Sequence, residues 1–395
     1  MDTVIQAPTL STSQHASPPG VEFFEQGLLL FKPSYEEPTV GQIEVLNLIA
    51  FYCYSLNRRK TAYAYAGMAL RLGTLLGIAK PPSASVDLVD YEHGKRVWWT
   101  AICMDLMTCT ELSLPPTYRF ENTCVEFPDD THLPSGRKDF SDAMYLTAQI
   151  ELCRLKHRIL ETALELRIGN ASDAHALVEP CFHLLHQWRT KFSPGLGFSE
   201  DIEFMHGTLA LPEMRTVASM LMRYNQCFVL LLRPLLLMQL YPLVREQLPP
   251  TPDAELVGLN TQCLRAATDN LKIQHALSRC HKIAKFGFWE SLHIFSSLTI
   301  HVIITFMAEK CPAAFSNSPD ITIYDSVRSL LAEMARAGNA ASNDHEHMIQ
   351  DIEGLFKADS TNASLPEGID DMVRWSDFLD GNMGAELFDP FPSEA

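Results

Sequence analysis

The 395-residue sequence predicts an all-α fold: a single large multi-helix body with a disordered N-terminal tail and an acidic C-terminal tail. Three observations carry this. Apolar residues recur at spacings of three and four in nearly every long segment. No stretch shows the alternation of a half-buried strand, and no internal repeat of fixed period occurs. The apolar fraction of 47% suits a globular core, whereas the net charge of −17 is concentrated at one end. From Ala340 to Ala395 there are 13 Asp and Glu against 2 Lys and Arg, a net of −11.

Residues 1–20 are rich in Ser, Thr, Pro and Gln and read as the disordered tail. The helical body is expected over 21–339, and 340–395 as an acidic, largely disordered tail. A short apolar run, Phe23 to Phe31, ends at Pro33. A helix follows over Val40 to Leu56, with Ile43, Leu46, Ile49 and Ala50 on one side. Thr61 is the expected N-cap of a helix ending at Leu76, with Gly77 as its C-cap. Ala62, Ala66, Ala69 and Gly73 form a stripe of small residues that would let two helix backbones approach closely.

The sequence is organised around 91–105, Tyr-Glu-His-Gly-Lys-Arg-Val-Trp-Trp-Thr-Ala-Ile-Cys-Met-Asp. Val97, Trp98, Ala101, Ile102, Asp105 and Leu106 share helical spacing. Trp98 and Trp99 point about 100° apart, so the helix should pack against two neighbours. Asp105 on that face needs a partner, for which Arg71 and Arg96 are candidates. Pro115-Pro116 stops the helix. Further helices are expected over Phe140–Ile168, Ser172–Phe192, Leu211–Leu240 (on either side of Pro234), Asp253–His281, Phe286–Lys310 and, more weakly, Asp325–Ala337. Pro194-Gly195-Leu196-Gly197 is expected to break the chain. The two most apolar runs, Cys227–Leu240 and Leu292–Ala308, are interrupted by Arg233-Pro234 and by His293 and His301. They read as buried helices and not as membrane spans.

The ten Cys are scattered, with no Cys-x-x-Cys pair, as small core residues in a reducing compartment would be. No secretory signal is visible at the start of the sequence. Cys181, His183 and His186 form a partial ligand set, but four ligands make a structural zinc site and no second pair lies nearby. His-Glu-x-x-His, Gly-x-Ser-x-Gly and phosphate-binding glycine loops are absent, and Asp129-Asp130 and Asp370-Asp371 read as solvated surface. Hence no catalytic residue, no metal ligand and no cofactor is assigned, and the chain is not expected to be an enzyme. In the tail, Met372, Trp375 and Leu379 share a helical face, with Phe378 beside them, among Asp370, Asp371, Asp377 and Asp380. Such a segment either folds on a partner's groove or docks on the chain's own body.

The segment Ala62-Tyr63-Ala64-Tyr65-Ala66-Gly67-Met68-Ala69-Leu70-Arg71, then Leu76-Gly77-Ile78, then Lys95-Arg96-Val97-Trp98-Trp99 and Asp105, resembles the middle homology region of fungal zinc binuclear-cluster transcription factors. Tyr224 to Arg233-Pro234, Cys263 to Ala267 and Phe288-Trp289 are similar as well, so the resemblance spans roughly Val40 to Ala308. Ser113-Leu114-Pro115 stands where the family commonly has Gly-Arg-Pro. The resemblance makes Arg96, Trp98, Trp99, Asp105, Arg233 and Pro234 the structural family motif. It implies a nuclear regulatory or effector-response domain controlling RNA polymerase II transcription, of a metabolic or secondary-metabolite pathway.

The implied partners are transcription machinery or co-regulators reached through the acidic tail, and a small-molecule effector. The implied class leaves room for a homodimer and has no membrane role. The family's six-Cys zinc cluster is missing from this sequence, whose first Cys is Cys53. Direct DNA binding by the chain as given is therefore not expected, and zinc would enter only with a missing N-terminal cluster. An alternative is a truncated gene model of a full DNA-binding factor. An alternative of another class is a helical small-molecule-binding protein or enzyme.

Overall fold

The computed structural model describes residues 17–80, 87–112, 114–120, 123–131, 133, 142–168, 174–198, 211–245, 254–312, 315 and 319–360. Among these residues there are eleven helices and no strand: α1 Val21–Leu30, α2 Val40–Ser55, α3 Arg59–Leu76, α4 Leu88–Leu112, α5 Ala143–Ile168, α6 Ala174–Leu196, α7 Leu211–Arg245, α8 Ala254–Arg279, α9 Phe288–Lys310, α10 Ile321–Arg336 and α11 Ala340–Ser360.

The helices start and stop for local chemical reasons. Thr39 and Gln42 form a reciprocal capping box at the start of α2. Asn57 takes the left-handed conformation (φ 56°), which turns the chain early enough for α3 to begin at Arg59. Thr61 therefore lies inside the helix and is not its cap. Gly77 (φ 81°) does close α3. The expected break at Pro194 is deferred: α6 runs through Pro180 and Pro194 to Leu196, and Gly197 (φ 65°) ends it. A helical proline forfeits only one hydrogen bond, and packing holds the rest. The same reasoning applies to α7, one 35-residue helix containing Pro234 and Pro242. Helix α10 begins at Ile321, ahead of the expected Asp325, because the Asp320 side chain accepts from the amides of Thr322 and Ile323.

Among the described residues, the two largest packing centres are these. In the first, α2 and α3 form an antiparallel pair covered by α4, with Leu46, Leu70, Leu72, Trp98, Trp99 and Ile102 buried together. In the second, α5–α9 enclose the larger core, whose middle is the apolar faces of α7 and α9. Met214–Val244 and Phe288–Lys310 are long and apolar enough to cross a membrane, but 67% and 78% of their most apolar windows are buried inside the protein. Residues 340–360, which charge counting groups with the tail, form α11. Met348, Ile349, Ile352 and Phe356 of that helix pack on α9 and α10, with the Phe306 and Phe356 rings stacked 4.4 Å apart. Met372, Trp375, Phe378 and Leu379 lie outside the described residues.

The small-residue stripe of α3 has a definite use. A Cβ on Gly73 would stand 2.9 Å from the Trp98 ring, so the glycine is what lets the indole lie flat on α3.

Candidate functional site

Helix α4 buries a charged residue set that its apolar spacing does not reveal. Glu92, Lys95 and Arg96 occupy successive turns of one face and all three are buried. Lys95 Nζ is 2.7 Å from Glu92 Oε2, and Arg96 Nε is 2.8 Å from Glu92 Oε1. Arg96 Nη2 also reaches Asp130 Oδ1 at 2.5 Å, and the Asp129 amide donates to Glu92 Oε1 at 3.0 Å. Asp130 was expected on solvated surface. It is half exposed, but one oxygen holds Arg96 and the other accepts from the Ala143 amide at the start of α5.

The two tryptophans continue this pattern. Trp98 Nε1 donates to Thr123 Oγ1 (3.1 Å), and Trp99 Nε1 donates to the Glu126 carbonyl (2.9 Å). Asp105 accepts from both the Thr117 amide (2.8 Å) and the Thr117 hydroxyl (2.7 Å). Neither proposed arginine partners Asp105. Arg96 is about 13 Å away along the helix axis and is committed to Glu92 and Asp130. Burial raises the Asp105 carboxyl above the ordinary range, and the Thr117 bonds oppose that rise. Thus α4 acts as a rail that pins the described residues of the irregular segment at Thr117, Thr123, Glu126, Asp129 and Asp130.

The pinned segment forms one wall of a groove of about 1050 Å³, with α5 and α6 as the other walls. Tyr118, Arg119, Phe120 and Phe127 line it from the segment, Arg154 and Arg158 from α5, and Trp188 from α6. Trp99 backs both phenylalanines: Phe120 lies 5.1 Å from it and Phe127 stacks on it at 5.3 Å and 25°. Phe127 as a residue remains 38% exposed. The Arg154 guanidinium covers Phe120 at 5.0 Å. The volume is that of a small-molecule site.

Arg233 and Pro234 lie on α7, away from this groove. Arg233 is fully buried, and burial followed by the charge of Arg167 lowers its pKa to about 9. With Gln226, His293, Ser296 and His345 it lines an interior cavity of about 30 Å³. That volume holds water and no metabolite. Of the partial ligand set, Cys181 is buried beside the Thr162 hydroxyl, while His183 is exposed and bonded to Gln187.

Buried histidines give the body a pH dependence. Burial lowers His293 and His345 to about 3, and His301 to about 4. The folded state keeps them neutral while the unfolded chain protonates them below its ordinary value of about 6.5. The unfolded state then binds more protons, so stability falls as pH drops, by about 1.4 kcal/mol per pH unit for each histidine. Urea midpoints measured from pH 7 to pH 4 should decline steeply. His345→Gln, which keeps an acceptor for Ser291 (2.7 Å away), should flatten the decline.

The sequence pattern pointed to α4 but missed Glu92, Thr117, Thr123, Phe127, Arg154 and Arg158. The three- and four-residue steps from Glu92 to Lys95 and Arg96 were a legible signal for the buried ion cluster. No signal of comparable strength marks the irregular segment.

Residues 4–192 match the family model of the fungal specific transcription factor domain. The match covers the Trp98-Trp99 helix and the whole groove lining and ends ahead of Arg233, so the resemblance drawn as far as Ala308 extends beyond it. An uncharacterized transcriptional regulatory protein of Schizosaccharomyces pombe is 20% identical over 334 residues, 84% of this chain and 40% of that protein. The thiamine repressible genes regulatory protein thi1 of the same organism is 21% identical over 327 residues, 76% of this chain and 40% of its own length. The chain spans about 40% of the length of these curated relatives. No solved structure matches it. Over residues 4–192 the chain is thus similar to the fungal specific transcription factor domain, and along most of its length it is similar to fungal transcriptional regulators.

Proposed function

We propose that this chain is the regulatory body of a nuclear fungal transcription regulator, working on co-regulators through its acidic C-terminal segment and responding to a small-molecule effector. The family match over 4–192 is the observation that carries the reading. The balance of charge supports a role other than reading DNA, because −17 over the chain opposes a phosphate backbone. One relative is named for thiamine-repressible genes, which favours a metabolic pathway as the setting. The groove beside α4 supports the effector half of the reading, since its volume and mixed lining suit a metabolite.

The test is a reporter assay. Residues 368–395, fused to an unrelated DNA-binding domain, should activate transcription. Trp375→Ala with Phe378→Ala should abolish that activation, because the apolar face is what a partner groove would accept. Silence of the wild-type fusion, or equal output from the double variant, would overturn the activation role.

A further inference from the structure

We propose that the groove walled by α5, α6 and the pinned residues Pro116, Tyr118, Arg119, Phe120 and Phe127 is a binding site for a phosphorylated aromatic small molecule of the nucleoside diphosphate type. The argument begins with charge. Of the two carboxylates lining the groove, Glu151 is paired with Lys191 at 2.7 Å, and Glu161 is exposed, 3.6 Å from His157, which pairs with it only when protonated. Arg119, Arg154 and Arg158, which line the same groove, have no carboxylate partner within ion-pair distance among the described residues. Three guanidiniums on one groove of a chain with net charge −17 are a local reversal of sign. The planar fork of arginine matches phosphate and carboxylate oxygens two at a time. Three such forks call for a ligand with at least two negative charges close together, and a diphosphate provides that compactly.

The rest of the lining selects a flat ring. Phe127 gives one face to Trp99 and keeps 38% of its surface exposed. Trp99 is itself fixed by its bond to the Glu126 carbonyl, and the Lys95 ammonium reaches the Phe127 carbonyl at 3.4 Å. The exposed ring is thus a rigid shelf, which costs little ordering entropy when a second ring stacks on it. Size favours a small ligand over a macromolecule. A groove of about 1050 Å³ accommodates a nucleotide-sized molecule, while a net charge of −17 opposes the extended phosphate backbone of duplex DNA. The inference rests on the effector reading only for its biological use. A failed titration would leave the reporter result standing, and a failed reporter assay would leave the titration standing.

Calorimetric titration of the purified full chain with ADP and, separately, with inorganic pyrophosphate tests it. ADP should saturate one site in the micromolar range, and pyrophosphate should bind at least about tenfold more weakly because it cannot use the shelf. Arg154→Gln with Arg158→Gln should weaken both probes at least about tenfold. Both side chains are exposed, so the unliganded melting temperature should not move. Phe127→Leu should weaken ADP and leave pyrophosphate unchanged. No saturation by ADP at millimolar concentration overturns the site. Undiminished ADP binding by the folded arginine double variant also overturns it. Equal affinity for ADP and pyrophosphate overturns the aromatic half, and displacement of ADP by a duplex oligonucleotide overturns the choice of a small ligand.

Discussion

Trp98→Ala should lower the stability of the chain by about 3–5 kcal/mol, the range for removing a large buried ring. Three losses coincide at this position. The indole is fully buried and lies flat on Gly73, so its removal leaves a cavity between α3 and α4. Its edge-on contact with Tyr118, at 5.1 Å, disappears. Its Nε1 no longer donates to Thr123, which releases part of the segment that walls the groove. Denaturant unfolding of the purified chain reads the effect as a fall in the midpoint. Trp98→Phe should cost less, because it refills most of the volume and loses only the hydrogen bond. If Trp98→Ala unfolds at the wild-type midpoint, α4 is not the rail described above.

Glu92→Ala should cost as much, by a different mechanism. Removing one partner of a buried ionic group leaves the others uncompensated, which costs about 3–5 kcal/mol. Here the substitution strands Lys95, leaves Arg96 with half-exposed Asp130 as its carboxylate, and takes an acceptor from the Asp129 amide. Replacing the whole set has the opposite expectation. Glu92→Met with Lys95→Met and Arg96→Met removes all three buried charges together, and apolar replacement of such sets is often neutral or stabilising. The triple variant should therefore be clearly more stable than Glu92→Ala, less a small loss from freeing half-exposed Asp130. Equal destabilisation of the two variants would show that Glu92 acts through packing alone.

The sequence alone determined the helical class, most helices, the small-residue stripe with its Gly77 stop, and the central place of the Trp98-Trp99 helix. These depend on short-range periodicity and on backbone preferences of single residues, which are written locally. The family resemblance rested on the same local patterns, in order. The helix end expected at Pro194 was misjudged, because packing outweighed propensity in α6. Only the tertiary structure decided what the motif residues do. Asp105 finds Thr117 twelve positions away, Trp98 finds Thr123, and Arg96 finds Asp130 across thirty-four residues. These contacts join a regular helix to an irregular segment, and no periodicity encodes the path of an irregular chain. The groove has the same origin. Arg119, Arg154 and Phe127 are ordinary residues in sequence, and they become one surface only because α4 holds 114–131 against α5. Local chemistry thus set the helices, and long-range pairing of buried polar groups set the site.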